Sequence, residues 1–414
     1  MKILITNVYS HQNFGDAAIV ESTISQIRRE YPDAEISLMS DFFAENDGRY
    51  DCASVPSVFC LPTKASKVRK SLALVVALMY SATVALLAAL RLRKLAASLL
   101  SRSRPYADSD VVLACGGGYL FSSNNSVLSV GLWQEVYHIW LGRVFGKPVV
   151  MLPQTVGPLA GAFDRWIVAR ALLAANLVLC RDKASMDLVS GLTRDRANSR
   201  FVPDVVYGWF SADEISSTEQ AEIDTPRISI TVLDWRWASP DQDRDKKVDA
   251  YLSAIVEACR ELSAEQDIDF QVVPQVLVKG GDLPISEKLR DGIASFTDRV
   301  ELLRPEDPLQ TVRVYQASTV VLGSRMHSCI FAIASGTPAV GLSYQPKVKA
   351  MFDQFGLGDN CFEASSVTSD QILEAVRRVL ADPARYRQQA RDVVAEAQRP
   401  LNAFFKELAD VVGR

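Results

Sequence analysis

The stretch TVVLGSRMHSCIFAIA, residues 319–334, joins two apolar runs through a polar corner. Thr319 to Leu322 is short, β-branched and aliphatic, the pattern of a strand buried on both faces, and the run from Met326 onward is apolar over a helical length. A Gly-Ser-Arg corner between them turns a strand into a helix, which is the repeating unit of an α/β layer. Working outward, the alternation recurs. Strand patterns at 227–233, 270–273 and 300–302 alternate with helical ones at 245–263, 285–295 and 308–317, and a strand at 339–342 leads into a helix at 348–355. Nearer the N-terminus, strands at 2–8, 35–39, 111–115, 149–152 and 177–180 are separated by segments such as 16–30, 127–145 and 163–174. The alternation predicts parallel sheets. It thins at PDVVYGWFSADEISSTEQAEIDTP, residues 203–226. The expected organisation is therefore a Rossmann-like domain at 1–205, a linker at 206–226, a second Rossmann-like domain at 227–368 and closing helices at 369–414. Two open sheets in tandem would face a cleft at the carboxyl ends of their strands, where ligands of such folds bind.

Composition narrows the function. With 414 residues, 48% hydrophobic and 23% charged, the chain can bury ordinary cores, which excludes disorder. The 45 basic and 49 acidic residues leave a net charge of −4 without a long single-sign run, so no nucleic-acid footprint is expected. Seven scattered cysteines show no zinc-like spacing, and the three histidines, His11, His138 and His327, lie far apart, so no metal site is expected. The thiols suit a reducing cytoplasm, and MKILITNVYS is too short an apolar run for a secretory signal. Residues 71–90, SLALVVALMYSATVALLAAL, carry no charge and are bracketed by Lys64, Lys67, Arg69, Lys70, Arg91, Arg93 and Lys94. Their length permits a membrane span. A crossing would split strands of one sheet between two sides of a bilayer, so the segment 66–101 is expected either to be buried or to lie on the inner face of the cytoplasmic membrane.

The polar residues that interrupt apolar patterns fall after strands. Asn13-Phe14-Gly15-Asp16 follows the first strand, where Gly15 lets a ligand approach and Asp16 can cap the helix. Gly116-Gly117-Gly118 leaves room for a ligand or another backbone. Gln154 follows the next strand, and Arg181-Asp182 the one after, where a salt bridge closing the corner is the equal alternative. At the opening corner, Arg325, the hydroxyls of Ser324 and Ser328, and a helix N-terminus all favour an anion, and His327 can exchange a proton near neutral pH. Ser343, with Lys347 opening the next helix, repeats the form. Asp108-Ser109-Asp110 precedes its strand and reads as turn and capping residues, and His138 reads as structural.

The ordered set Asn13-Phe14-Gly15-Asp16, Gly116-Gly117-Gly118, Pro153-Gln154-x-x-Gly157-Pro158, Arg181-Asp182-x-x-Ser185, Pro203-Asp204, Ser324-Arg325-Met326-His327-Ser328, Gly336-x-Pro338 and Ser343-Tyr344-x-Pro346-Lys347 resembles the polysaccharide pyruvyl transferase family. The resemblance implies a GT-B-like fold and transfer of pyruvate from phosphoenolpyruvate to two hydroxyls of a sugar, forming a cyclic ketal without a further cofactor. It implies His327 in catalysis with Arg325 beside it, and a donor held by Arg181, Arg325 and Lys347 with Ser324, Ser328 and Ser343. By analogy with that architecture, Asn13, Asp16, Gly117 and Gln154 would face the acceptor, free or lipid-linked. A homo-oligomer is compatible with this reading. Two alternatives stay open: a GT-B glycosyltransferase with a nucleotide-sugar donor, and a non-catalytic glycan- or membrane-binding protein. The first would want an acidic residue for a ribose near Ser343-Tyr344-Gln345, and there is none.

Overall fold

A computed structural model describes residues 1–57, 67–90, 92–99, 101–122, 130–210, 225–236, 243–278 and 281–412, the side chains of 67–74, 99 and 130 excepted. The chain divides into two compact units. Met1–His11, Ile19–Val205 and Pro400–Arg414 make the first, and Gln12–Ala18 with Val206–Arg399 the second. The short segment Gln12–Ala18, expected within the N-terminal domain, thus packs with the second unit. The last helix ends in the first.

In the first unit, β1 (Lys2–Val8), β2 (Glu35–Ser40), β3 (Ala53–Pro56), β4 (Val111–Ala114), β5 (Gly117–Leu120), β6 (Val149–Val156), β7 (Leu177–Cys180) and β8 (Ser199–Phe201) form one sheet. Its order is β3-β2-β1-β4-β6-β7-β8, with β5 beside β6, and the pairs are parallel. The helices are α1 (Phe14–Glu30), α2 (Phe43–Asn46), α3 (Lys67–Ala89), α4 (Arg93–Leu99), α5 (Arg104–Asp108), α6 (Val130–Val144), α7 (Ala162–Ala174) and α8 (Lys183–Thr193). Alternate strand residues, Val112 and Ala114, Val149 and Met151, Val178 and Cys180, meet Ile139, Ile167, Val168 and Val189 in one buried cluster, which Val84, Ala96 and Tyr106 also join. Because alternate residues share a face of a strand, α3 through α8 form one layer on one side of this sheet.

The second unit has β9 (Arg227–Thr231), β10 (Asp269–Val272), β11 (Val300–Leu302), β12 (Val320–Gly323), β13 (Ala339–Ser343) and β14 (Cys361–Glu363). They run parallel in the order β11-β10-β9-β12-β13-β14. This is the doubly wound order, whose direction of winding reverses between β9 and β12. Its helices are α9 (Arg244–Glu265), α10 (Leu283–Ala294), α11 (Pro308–Gln316), α12 (Met326–Ala334), α13 (Pro346–Gln354), α14 (Ser369–Ala381) and α15 (Pro383–Val412).

Three details of the chain have local causes. The glycine run does not extend β4: the strand stops at Ala114 and the chain resumes as β5, with Gly117 at φ 136°. A Cβ on Gly116 would lie 2.7 Å from the Pro153 carbonyl oxygen, so here it is a backbone that passes close. The C-terminal helical segment breaks at Asp382, because Pro383 disfavours a helical residue before it. Finally, the start of the expected linker is core: Tyr207 and Trp209 are buried, Tyr207 against Phe355 and Trp209 against Phe331. The rest of that linker, residues 211–224, lies outside the described residues, as do Lys64 and Arg91. No helix among the described residues is long and apolar enough to cross a membrane.

Candidate active site

The corner after β12 lies at the winding reversal of the second sheet, where Ser324 donates its N–H to the Thr231 carbonyl of β9 at 3.0 Å. Gly323 is required there, since a Cβ would come within 2.6 Å of both Ser328 Oγ and Cys329 Sγ as α12 folds back on its strand. Arg325 is the N-cap of α12 and turns its guanidinium onto Asp282 through Nε, at 3.0 Å, and a second guanidinium nitrogen. The Asp282 carboxylate is fully buried and also accepts the N–H of Val276 at 2.9 Å and of Gln275 at 3.3 Å. Burial disfavours the Arg325 charge, but the Asp282 carboxylate outweighs it, so the guanidinium is held above its ordinary range. The pair takes two of five N–H donors.

The loop at Gln12–Ala18 is fixed to the same place as a short antiparallel strand. Asn13 bridges to Val276, Phe14 donates to the Gln275 carbonyl at 3.2 Å, and Leu277 donates to the Gln12 carbonyl at 2.9 Å. Asn13, rather than Asp16, caps α1: its Oδ1 accepts the Gly15 N–H at 3.2 Å while its Nδ2 donates to Asp16 at 2.6 Å. Gly15 then lies against the half-buried ring of His327. A Cβ on Gly15 would stand 2.7 Å from His327 Cγ and nearer still to Nδ1, so glycine is the residue that admits this imidazole.

The expected donor hydroxyls are differently employed. Ser324 bonds with the buried Tyr251 hydroxyl, Ser328 donates to the Arg325 carbonyl at 2.6 Å and Ser343 to the Gln345 carbonyl at 2.7 Å. All three serines are buried and brace the two corners. Lys347 is half-buried in the first turn of α13. What these corners offer an anion is backbone. The helices after the edge strands are closed by their own side chains, α11 by Asp307 and α14 by Thr368. Those after the four inner strands, α9, α10, α12 and α13, start without a side-chain cap. Helices that follow parallel strands start at the carboxyl edge of the sheet, where negative charge is favoured.

The remaining expected residues belong to the first unit. Arg181 is buried and donates to Asp204 Oδ2 at 2.6 Å and to Thr155 Oγ1 at 2.8 Å. Its sequence neighbour Asp182 instead caps α8 through the Ser185 N–H and accepts from Thr155. Gln154 is fully buried and donates to the Tyr119 hydroxyl at 2.6 Å, opposite Gly117 in the β5–β6 pairing. His138 is bonded to the buried Tyr106 hydroxyl at 2.6 Å, and Asp110 accepts the Lys2 N–H, as turn residues do.

Asp282, Tyr251 and Gln275 were not singled out in the sequence. Asp282 precedes a helix with proline in its first turn and so reads as an ordinary N-cap, and its partner lies 43 positions away. Gln275 is 1% exposed, and both side-chain amide atoms lack a partner among the described residues. A buried amide left so costs about 1–3 kcal/mol, which a bound ligand or a water would recover.

Comparison with known proteins identifies the fold and the family. The Neisseria meningitidis UDP-GlcNAc 2-epimerase bound to UDP-GlcNAc superposes with a TM-score of 0.56 at 11% identity, over 97% of this chain and 99% of that one. Anabaena Alr3699/HepE in complex with UDP gives 0.57 at 14% identity, over the whole of both chains. At these identities the likeness concerns the fold, which is α/β with two Rossmann-like domains of the GT-B kind. Amylovoran biosynthesis protein AmsJ of Erwinia amylovora is 22% identical over 441 aligned positions, covering 100% of this chain and 99% of that protein. Residues 13–346 match the family described as polysaccharide pyruvyl transferase, and that span runs from the Asn13 turn to the Pro346 corner. The chain belongs to the polysaccharide pyruvyl transferase family.

Proposed function

We propose that the protein transfers pyruvate from phosphoenolpyruvate to two hydroxyls of a sugar in a polysaccharide or its precursor, forming a cyclic ketal and releasing phosphate. The observation that carries this reading is His327 beside Gly15 at an uncapped helix start, with Arg325 fixed by Asp282 next to it, in a chain of this family. Phosphoenolpyruvate brings a carboxylate and a phosphate. Arg325 and Lys347 supply cations, the start of α12 supplies oriented N–H groups, and Gln275 supplies a donor and an acceptor. In the proposed step His327 delivers a proton to the methylene carbon, which becomes a methyl group, and the C2 cation is attacked by a sugar hydroxyl that gives up its proton. The C2–O bond to phosphate breaks, and a neighbouring hydroxyl closes the ring with loss of a second proton. The released phosphate takes one of the two protons lost and the other returns to His327, so the ledger of atoms and charge closes. Asn13 and Asp16, close in sequence to Gly15, are the proposed acceptor contacts. Gln154 is better suited to bracing Gly117 than to touching sugar, because it is fully buried and bonded to Tyr119.

The direct test is phosphate release from phosphoenolpyruvate with free, nucleotide-linked and lipid-linked sugars, alongside thermal shifts with phosphoenolpyruvate and with UDP- and GDP-sugars. Release with at least one sugar and a shift with phosphoenolpyruvate are expected, whereas shifts by nucleotide-sugars alone would establish the glycosyltransferase alternative. His327→Ala should lower turnover by about a hundredfold or more while phosphoenolpyruvate still binds by calorimetry. Full activity in that variant would take His327 out of the mechanism.

Gly15→Ala should reduce kcat by more than about tenfold, with a smaller change in KM for phosphoenolpyruvate and a near-native unfolding curve, because the new methyl displaces the imidazole rather than the donor. Unaltered turnover would show that the ring position does not depend on this loop. Arg181→Ala leaves the Asp204 carboxylate buried without its guanidinium, and should lower the stability of the first unit by roughly 3–5 kcal/mol in urea unfolding. A fully stable variant with weakened phosphoenolpyruvate binding would instead make Arg181 a donor ligand.

A further inference from the structure

In the layer of helices on the first sheet, α6 lies between α3 and α7: Ala77 and Tyr80 of α3 pack with Tyr137 of α6, and Trp133 of α6 stacks on Phe163 of α7 with ring centroids 6.3 Å apart. The outward side of this layer is apolar. Val76, Met79 and Leu86 on α3 and Leu90 just beyond it are 57%, 67%, 61% and 59% exposed, and Trp166, packed beside Phe163, is 54% exposed. Single exposed aliphatics are ordinary, but several on one helix beside exposed aromatics mark an interaction surface.

Charge says what kind. Arg93 and Lys94 on α4 and Arg165 and Arg170 on α7 are exposed. Across α3, α4, α6 and α7 the sequence has two carboxylates, Glu135 and Asp164. Asp164 is buried, and the half-buried Glu135 receives the Asn7 side-chain amide at 2.6 Å. The face is therefore apolar and aromatic with cations and no exposed acid. A second copy of the chain seated on it by a twofold axis would set these cations against one another. An anionic lipid surface satisfies both parts, because aliphatic and aromatic side chains enter the boundary of headgroups and acyl chains while Arg and Lys meet the headgroups.

We propose that the outer face of α3, α4, α6 and α7 docks the first unit onto an anionic lipid surface, lying on the bilayer rather than crossing it. This surface is separate from the residues assigned to pyruvyl transfer, and its test does not require that reaction. The full chain is pelleted with vesicles of phosphatidylcholine alone and with vesicles in which about a third is phosphatidylglycerol, at low and high salt. Binding is expected with the anionic vesicles and should weaken as salt screens the charges. At about 1 kcal/mol per basic residue near such a surface, Arg93→Glu with Lys94→Glu should cut binding by about tenfold or more. Trp166→Ser should weaken it as well, with a native melting curve confirming the fold. Equal pelleting with both vesicles, no pelleting with either, or indifference to the charge reversal would overturn the proposal. So would a dimer in analytical ultracentrifugation that Trp166→Ser dissociates, which would assign the face to a second copy.

Discussion

The carboxylate of Asp282 governs the carboxyl edge of the second sheet. It sits in a fully buried position and accepts from Arg325 and from two successive backbone N–H groups, so one charge aligns the corner after β12 with the segment after β10. Neither ion would be tolerable there alone, since an uncompensated buried charge is far more costly than a buried pair. That segment is also what the Asn13 strand pairs with, and the strand carries Gly15 to His327. A chain of contacts thus runs from one buried carboxylate to the ring proposed to move the proton.

The first unit uses the same device for another end. Arg181 and Asp204 form a buried pair at the carboxyl edge of its sheet, with Thr155 as a third partner. There both side chains are almost wholly enclosed, while the Arg325 side chain keeps a fifth of its surface open beside a helix start that has no cap. Two arginines that each follow a strand and each pair with a buried aspartate differ in what they have left to offer a ligand.

Strand positions were legible because buried parallel strands are short apolar runs with turn chemistry after them, and β1 and β7 match the pattern residue for residue. The corner at Arg325 and His327 was legible for the same reason: polar residues stand out between apolar runs. What the sequence hid was partnership. Arg181 is adjacent to Asp182 yet pairs with Asp204, because Asp182 faces its own helix as a cap. Ser324, Ser328 and Ser343 look like ligand hydroxyls, but each has a nearby acceptor or buried partner that burial obliges it to use. Gly15 reads as a turn glycine, and only the fold reveals the imidazole occupying the space where its side chain would be.

The pattern of helix caps has a consequence for the life of the protein outside any reaction. The outer helices of the second unit are finished by Asp307 and Thr368, whereas α12 has no side-chain cap, so an anion seated at its start would add a partner there. A ligand that does so is a structural component while it is bound. At a hundred times its dissociation constant it adds about 2.7 kcal/mol to the folded state. A cell rich in such an anion would hold a more durable population of this protein than a starved one, with no change in its synthesis.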